Sequence, residues 1–285
     1  MEKILVIDFG SQYTQLIARR LRELSVYSEV CPWDEIPDLS GVKGFILSGG
    51  PESSNIEGNP SIDQQIFDTK KPILGICYGM QVLAYQEEGK IINEGKREFG
   101  NAKIDIKQDS ILLKSLDKSL DVWMSHGDKV ESLPGGYNIT AVSNNSPVAA
   151  YENIAKKYFG LQFHPEVTHT ESGTTIIKNF LEICDIEQNW SADDILQQIN
   201  ALVKTEVKDG EVLLALSGGV DSTVLAAVLH KTLGNKLTCV MVDHGLLRKD
   251  EALNVVNNLK EKIGLSVNLV TVSYTHLTLP TKVTV

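Results

Sequence analysis

Short apolar runs that end in small-residue turns and lead into helical patterns constrain the fold of this chain more than any other feature. In the N-terminal part these runs cover residues 4–7, 44–47 and 72–76. The last of them ends at Cys77-Tyr78-Gly79, and residues 78–88 then follow a helical pattern. Alternating strands and helices predict an α/β fold with an open, mainly parallel sheet and helices on both faces. Ligands of such sheets bind at the carboxyl ends of the strands, where Cys77 is predicted to lie.

The pattern changes after residue 101, and a second strand-turn-helix series follows further along. Short β-like runs cover residues 103–106, 121–124, 137–142 and 157–162, and a helix is predicted over 171–184. After a polar stretch, Ser191 is the predicted cap of a helix that reaches about Val207. The second series consists of a strand over 212–216, a glycine-rich turn over 217–222, a helix over 223–233 and a strand over 237–242. The domain boundary is therefore predicted near Asn189.

Composition restricts the class of protein. The 285 residues are 42% hydrophobic and 22% charged, as in a packed globular protein, and the length favours two domains. A net charge of −10 gives no electrostatic footprint for nucleic acid, and no apolar stretch has the length expected of a signal peptide or a membrane span. The four cysteines form no CxxC pair, which argues against zinc and disulfides and favours a cytoplasmic protein.

The turn Gly75-Ile76-Cys77-Tyr78-Gly79 is predicted to carry a nucleophile. A helix N-terminus favours the thiolate, and flanking glycines permit a sharp turn like the nucleophile elbow of hydrolases. Phe163-His164-Pro165-Glu166 offers a base, since an extended backbone can put His164 and Glu166 on one side, where the carboxylate orients the imidazole. Taken alone, a cysteine is more often an inert buried thiol and such a histidine an ordinary loop residue. His126 is the one competing histidine.

Three motifs in a fixed order carry a family resemblance. Ser48-Gly49-Gly50-Pro51, Gly75-Ile76-Cys77-Tyr78-Gly79-Met80-Gln81 and Phe163-His164-Pro165-Glu166 resemble the motifs of class I glutamine amidotransferases. The resemblance implies that Cys77 attacks the side-chain amide of glutamine. It also implies that His164 moves the proton that expels ammonia and that Glu166 orients His164. A glutamyl thioester then hydrolyses to glutamate.

The same resemblance implies further contacts around the cysteine. The backbone N–H groups of Gly50 and Tyr78 are expected to form an oxyanion hole, which supplies fixed donors where negative charge develops. Substrate glutamine is expected to contact Gln81, Ser125 and His126, although each of these could be an ordinary helix or turn residue.

The turn Ser217-Gly218-Gly219-Val220-Asp221-Ser222 follows an apolar strand and opens a helix, where free backbone N–H groups attract anions. It lacks the Lys-Ser/Thr ending of a Walker A loop, and alone it could be a simple capped turn. The complete string resembles the pyrophosphate loop of the N-type ATP pyrophosphatases, which adenylate a substrate and release pyrophosphate. The resemblance implies that this turn and Thr223 hold the phosphates of ATP, that Asp221 acts with Mg²⁺, and that Val242 touches adenine.

An amidotransferase region ahead of such an ATP loop resembles the family of glutamine-hydrolysing GMP synthases over about residues 1–272. The strings Trp123-Met124-Ser125-His126-Gly127-Asp128-Lys129-Val130 and Val242-Asp243-His244-Gly245-Leu246-Leu247-Arg248 fit it, except that His244 stands where an Asn is expected. The resemblance implies a carbon-nitrogen ligase of purine biosynthesis that aminates ATP-adenylated xanthosine 5′-phosphate (XMP) with ammonia from glutamine and releases AMP and pyrophosphate. ATP is then a co-substrate, and no covalent cofactor is expected. The alternatives are another class I amidotransferase, such as a carbamoyl-phosphate or anthranilate system, and a catalytically idle binding module.

The implied organisation has three parts. An amidotransferase domain covers residues 1–189, the N-terminal part of a Rossmann-like ATP pyrophosphatase domain covers 190–272, and a foreign tail covers 273–285. The tail is predicted because residues 272–281 resemble a translated adapter from sequencing libraries. The family resembled continues into a dimerisation domain, so the full-length protein is expected to be a homodimer. This chain is expected to keep the glutaminase site without forming GMP.

Overall fold

A nine-stranded sheet forms the centre of the first of two units in the computed structural model, which describes residues 1–54, 58–93 and 97–272. The first unit is Met1–Trp190, and the second begins at Ser191. The described strands of the first unit are β1 (Lys3–Asp8), β2 (Ser28–Pro32), β3 (Val42–Leu47), β4 (Ile73–Ile76), β5 (Lys90–Ile92), β6 (Glu98–Ile106), β7 (Ser119–His126), β8 (Lys129–Ser132), β9 (Asn138–Ser143), β10 (Ala150–Asn153) and β11 (Tyr158–Leu161). Its described helices are α1 (Thr14–Glu23), α2 (Gln64–Asp68), α3 (Tyr78–Gln86) and α4 (Gly173–Ile183).

The strands of the large sheet stand in the order β2-β1-β3-β4-β11-β10-β9-β6-β7. The first five are mutually parallel, and the others extend the sheet by antiparallel pairing. Strand β11 joins the two halves because it runs parallel to β4 and antiparallel to β10. Strands β5 and β8 form a separate antiparallel ribbon. The predicted α/β fold is confirmed, and its parallel half is the part that follows the sequence pattern.

The parallel half is apolar on both faces, so helices can cover both. Successive side chains of a strand point to opposite faces. In β1, Ile4 and Val6 therefore join one core cluster, which also contains Phe180 of α4, whereas Leu5 joins a second cluster that contains Tyr78 of α3. All five side chains are at most 1% exposed. This packing fixes the carboxyl ends of the parallel strands, from which the site described below is built.

The second unit is a smaller parallel α/β assembly. Its described elements are α5 (Ala192–Val207), β12 (Val212–Leu216), α6 (Val220–Leu233), β13 (Leu237–Asp243), α7 (Glu251–Ile263) and β14 (Val267–Thr271). The strands pair in the order β12-β13-β14. Helix α5 begins with a capping box, in which Ser191 Oγ accepts from the Asp194 N–H and the Asp194 carboxylate accepts from the Ser191 N–H. The predicted cap at Ser191 and the helix end at Val207 are confirmed.

The structure differs from the sequence-based elements in two respects. Helix α6 begins at Val220, three residues before the predicted start, because the side chains of Ser222 and Thr223 donate to the Gly219 carbonyl and close the first turn. The sequence also missed α2, β2, β5, β8, β10, α7 and β14, whose apolar patterns are short or broken by polar residues such as Glu29 and Glu152. No helix in the described ranges combines the length and the apolar character needed to cross a membrane. The predicted foreign tail, residues 273–285, lies outside the described residues.

Candidate active site

Cys77 occupies a strained turn between β4 and α3. Its backbone has φ 51° and ψ −107°, a left-handed conformation that non-glycine residues rarely adopt. The neighbouring chain approaches so closely that only glycine fits beside it. A Cβ on Gly75 would lie 2.5 Å from the Gly79 carbonyl oxygen, and one on Gly79 would lie 2.4 Å from the Leu47 carbonyl oxygen. The two glycines predicted to permit a sharp turn are thus required by close backbone contacts.

The thiol of Cys77 is enclosed by groups from distant parts of the chain. Only 5% of the residue is exposed. Its Sγ lies 3.4 Å from the backbone carbonyl oxygen of Ser125 and 3.8 Å from Nε2 of Gln162. Ser125, predicted as a glutamine contact, therefore meets the thiol through its main chain. Gln162 was missed, because nothing in its local sequence separates it from any other residue at a strand end.

His164 and Glu166 form the predicted pair beside this cysteine. Strand β11 runs parallel to β4 with Leu161 opposite Ile76, so the residues that follow both strands meet at one edge of the sheet. Nδ1 of His164 lies 2.7 Å from Oε1 of Glu166, and both residues are buried.

Three further contacts hold this segment in place. The His164 N–H donates to the Trp123 carbonyl, the His164 carbonyl accepts from Thr170 Oγ1 at 2.6 Å, and the Glu166 carbonyl accepts from Arg20 Nε. The imidazole is therefore fixed by backbone as well as by its carboxylate partner.

The electrostatics of His164 favour its protonated form. Burial lowers the pKa of His164, but the charge of Glu166 and hydrogen bonds to Cys77 and Glu166 outweigh burial, so the net shift of the pKa is upward. His126, the competing histidine, lies elsewhere. Its ring nitrogens lie 2.9 Å from the Asp128 carbonyl oxygen and 3.2 Å from Glu98 Oε2. The described contacts therefore place His164, and not His126, at the thiol.

Two cavities open beside Cys77. One of about 270 Å³ is lined by Gly49, Gly50, Ser125 and His164, among others. The second, of about 340 Å³, is lined by Gly50, Tyr78, Gln81, Arg97, Phe99, Ser125, His126 and Asp128, among others. Every residue that the family resemblance linked to the oxyanion or to glutamine therefore lines a cavity that reaches Cys77.

Gly50 and Tyr78 are suitably placed to be backbone donors. Tyr78 is the first residue of α3, so its N–H has no carbonyl partner within the helix. Gly50 follows β3 and lines both cavities. A Cβ on Gly50 would lie 2.8 Å from the Phe9 carbonyl oxygen, so glycine is needed for this close approach. Their role as an oxyanion hole stays a prediction.

The larger cavity contains charged residues that sequence reasoning did not select. Asp128 is 7% exposed, and its Oδ2 has no hydrogen-bond partner within the described part of the chain. Arg97 lines the same cavity. The Asp128 carbonyl accepts from Nε2 of Gln81 at 2.7 Å, so Gln81 orients this segment. Asp128 stands in the string Ser125-His126-Gly127-Asp128, which was the available signal for finding it.

The second predicted site is the turn after β12. Gly218 has φ 82°, and the side chain of Ser217 accepts from the Gly219 N–H and contacts Ser222 Oγ at 3.1 Å. Val220 is 78% exposed and Asp221 is exposed, in the first turn of α6. Val242, the predicted adenine contact, is 45% exposed near the end of β13. The turn thus presents its backbone and Asp221 at the carboxyl end of a parallel strand, as predicted.

No group of three or more histidine, cysteine or acidic side chains is arranged to hold a metal ion in the described ranges. A Mg²⁺ ion bound to ATP needs few protein ligands, because phosphate oxygens and water complete its octahedron. Asp221, an exposed carboxylate in the turn after β12, is suited to be one such ligand.

Comparison with known families finds a match for each of the two regions. The chain matches the family described as Glutamine amidotransferase class-I over residues 5–184, which include Cys77, His164 and Glu166. The chain belongs to this family. A second match, to the PP-loop domain, covers residues 191–279. This match contains the turn after β12, and it extends into the segment predicted to be foreign.

Relatives of this chain share both regions. A glutamine-hydrolyzing GMP synthase from Vibrio vulnificus (strain CMCP6) is 47% identical over 270 residues, which cover 93% of this chain and 52% of the relative. That of Xanthomonas axonopodis pv. citri (strain 306) is 49% identical over 275 residues, covering 93% and 53%. The chain therefore spans about half the length of the curated relatives it matches. A crystal structure of a candidate GMP synthase subunit from Thermoplasma acidophilum is 31% identical, with a TM-score of 0.57, over 65% of this chain and 94% of that chain.

Proposed function

We propose that the first unit hydrolyses glutamine to glutamate and ammonia with Cys77 as the nucleophile. The observation that carries the proposal is the assembly of the strained Cys77 turn with the His164–Glu166 pair at one edge of the sheet. A positive imidazole held beside a thiol favours the thiolate form, which is the reactive nucleophile. The upward shift of the His164 pKa supplies this charge.

The reaction proceeds in two halves. The Cys77 thiolate attacks the side-chain carbonyl carbon of glutamine, and the carbonyl oxygen becomes an oxyanion that accepts from the N–H groups of Gly50 and Tyr78. Collapse of this intermediate breaks the C–N bond, and the leaving ammonia takes the proton from His164. Neutral His164 then removes a proton from water, which attacks the thioester. Release of glutamate restores the thiolate and the protonated His164.

Substrate recognition uses the larger cavity. Free glutamine carries an ammonium and a carboxylate, and the cavity is lined by the acidic residues Glu52 and Asp128 and by the basic residue Arg97. The unpartnered Oδ2 of buried Asp128 can accept from the substrate ammonium, since a buried carboxylate oxygen without a partner is costly. Arg97 can bind the substrate carboxylate. Both contacts discriminate free glutamine from a glutamine within a protein chain.

For the whole protein we propose the activity of a glutamine-hydrolysing GMP synthase, a carbon-nitrogen ligase that aminates XMP. In this proposal the turn from Ser217 to Thr223 holds the phosphates of ATP and Asp221 acts with Mg²⁺. The supporting observations are the PP-loop match and the relatives at 47% and 49% identity. A cytoplasmic location is part of the proposal and suits a reaction that needs Cys77 as a free thiol.

The glutaminase proposal is tested by covalent labelling with a diazoketone analogue of glutamine. We expect labelling of the chain at Cys77, identified by mass spectrometry of peptides, and protection by free glutamine. The Cys77→Ala variant should not be labelled, whereas Cys239→Ala, which removes another thiol, should be labelled as the wild type is. An unlabelled but folded wild-type chain would favour the idle binding module instead.

A further inference from the structure

A buried polar cluster includes His126, one of the residues that line the larger cavity. Glu98 begins β6 and is paired in register with His126 at the end of β7. The two side chains are 6% and 4% exposed, and Oε2 of Glu98 lies 3.2 Å from Nε2 of His126. Neither residue touches the thiol. Neither residue takes part in a step of the proposed hydrolysis.

The donors around Glu98 are fixed by their own partners. Ser143 Oγ accepts from the backbone N–H groups of Asn145 and Ser146, so its hydroxyl proton is left to donate to Glu98 at 3.0 Å. Asn145 Nδ2 also donates to Oε1 of Glu98 at 3.2 Å. Two donor groups thus point at this carboxylate.

The tautomer of His126 follows from its other contact. Nδ1 lies 2.9 Å from the Asp128 carbonyl oxygen, which can only accept, so Nδ1 carries a proton. In a neutral imidazole Nε2 then has none, and it would face the Glu98 carboxylate as one acceptor facing another. The contact at 3.2 Å is a hydrogen bond only if one additional proton lies between Nε2 and Oε2.

We infer that Glu98 and His126 share one proton and act together as a proton-dependent positioning pair for the glutamine site. Nδ1 of His126 donates to the Asp128 carbonyl oxygen and holds it in place. The same oxygen also accepts from Nε2 of Gln81 at 2.7 Å. Gln81 in turn donates to Gln162 at 3.2 Å, and Gln162 points its amide at the Cys77 thiol. Loss of the shared proton makes Nε2 and the carboxylate repel, and this loosens the segment that carries the unpartnered Oδ2 of Asp128.

Two charged groups near His126 change its pKa in opposite directions. Lys129 of β8 disfavours a proton on His126, and Glu98 favours it. The net effect, led by burial, is a lowered pKa of His126, so the proton leaves on the acidic side of the ordinary value for histidine. Asp128 and Arg97 line the same cavity. The inference rests on the proposed glutaminase function only for its effect on substrate, since the shared proton follows from the hydrogen bonds alone.

Inactivation of the chain by the diazoketone analogue of glutamine between pH 5.5 and 9 tests the pair. The inactivation constant KI reports binding, and the limiting rate reports the thiol. We expect KI of the wild type to rise with pH by about fivefold to tenfold, the range of one buried hydrogen bond. In Glu98→Gln the amide donates to neutral His126 at every pH, so its KI should stay flat. The matched control is Glu152→Gln, a buried carboxylate on β10 that is bonded to Ser110 and should follow the wild-type curve.

Ring ¹⁵N spectra of the same variants provide a readout that is independent of glutamine. Wild-type His126, assigned by its loss in His126→Gln, should change its Nε2 signal with pH, whereas the Nε2 signal in Glu98→Gln should remain that of a hydrogen-bond acceptor. Parallel KI curves for the wild type and Glu98→Gln, or a wild-type KI independent of pH, would overturn the inference. A wild type that is not labelled at all contradicts the glutaminase proposal instead, and the spectra then still decide whether the proton is shared.

Discussion

The two strand-turn-helix sites of this chain are built in opposite ways. At Cys77 the turn is buried, and the thiol is contacted by Ser125, Gln162 and His164, which lie 48 to 87 positions further along the sequence. At the turn after β12 the hydrogen bonds of Ser217, Ser222 and Thr223 stay within the turn itself, and Val220 is 78% exposed. The first site is assembled by tertiary contacts. The second is formed by consecutive residues, whose backbone N–H groups can donate to a ligand.

The difference matters for how each site tolerates change. A site assembled from distant segments depends on the packing of the whole unit, so small displacements disturb the chemistry. A site made from consecutive residues depends on backbone conformation and on the ligand that it binds. Matched substitutions in the two turns therefore test this contrast.

The largest effect is expected at the base of the first site. His164→Gln removes the proton carrier and the positive charge beside Cys77, so labelling by the diazoketone analogue should slow by about 100- to 10,000-fold. His169→Gln is the matched control, because His169 lies in the same segment but lines neither cavity. Its ring packs against that of Trp123, with the two ring centroids 4.7 Å apart. Labelling of His164→Gln at the wild-type rate would contradict the role of His164.

Glycine substitutions compare the two turns directly. Gly79→Ala places a Cβ 2.4 Å from the Leu47 carbonyl oxygen and should lower the free energy of unfolding of the first unit by about 3 kcal/mol. Gly219→Ala meets only Ser217 Oγ at 3.4 Å and should cost less than about 1 kcal/mol in the second unit.

Each unit can be followed separately in this comparison. All three tryptophans lie in Met1–Trp190, so their fluorescence monitors the first unit and circular dichroism adds the second. Equal losses in the two variants would remove the contrast between a buried and a local turn.

A smaller effect is expected from Asp221, the carboxylate in the turn after β12. Asp221→Asn keeps the helix start but removes the expected ligand of Mg²⁺, so calorimetry should find Mg-ATP bound about tenfold more weakly. ATP titrated with a chelator should bind the variant no more weakly than it binds the wild type. Asp193→Asn changes an acidic residue in the first turn of α5 and serves as the control. A uniform loss with and without Mg²⁺ would argue against the metal role of Asp221.

The last effect concerns how the stability of the first unit changes with pH. The pKa of His164 is raised in the folded state, so its stabilisation is complete below the unfolded value of about 6.5 and is lost as pH rises through the folded value. Fluorescence-monitored unfolding should therefore show that the free energy of unfolding falls above about pH 6.5, by at most about 1.4 kcal/mol per pH unit.

His164→Gln should lack this decline above pH 6.5. A wild type and a His164→Gln variant with superimposable stability profiles above that pH would contradict the raised pKa.

Strands β1, β3 and β4 of the parallel half were accessible from the sequence because each contains an apolar run that ends in a small-residue turn, whereas β2, which contains Glu29, was missed. The antiparallel half was less accessible. Strand β10 carries the buried polar residues Glu152, which is bonded to the distant Ser110, and Asn153, so its pattern does not mark a strand. Helix α6 begins earlier than predicted because its first turn is closed by side-chain bonds to the Gly219 carbonyl, which apolar periodicity does not report.

The sequence by itself determined the types and the order of the reactive groups: a cysteine between two glycines, a histidine two residues before a glutamate, and a glycine-rich turn at the start of a helix. These are local features, and local backbone sterics and spacing encode them. Only the tertiary structure brought β11 beside β4, put Gln162 at the thiol and joined Glu98 to His126 across two strands. Pairing of distant strands sets these contacts, because residues far apart in the chain become neighbours only through the register of the sheet.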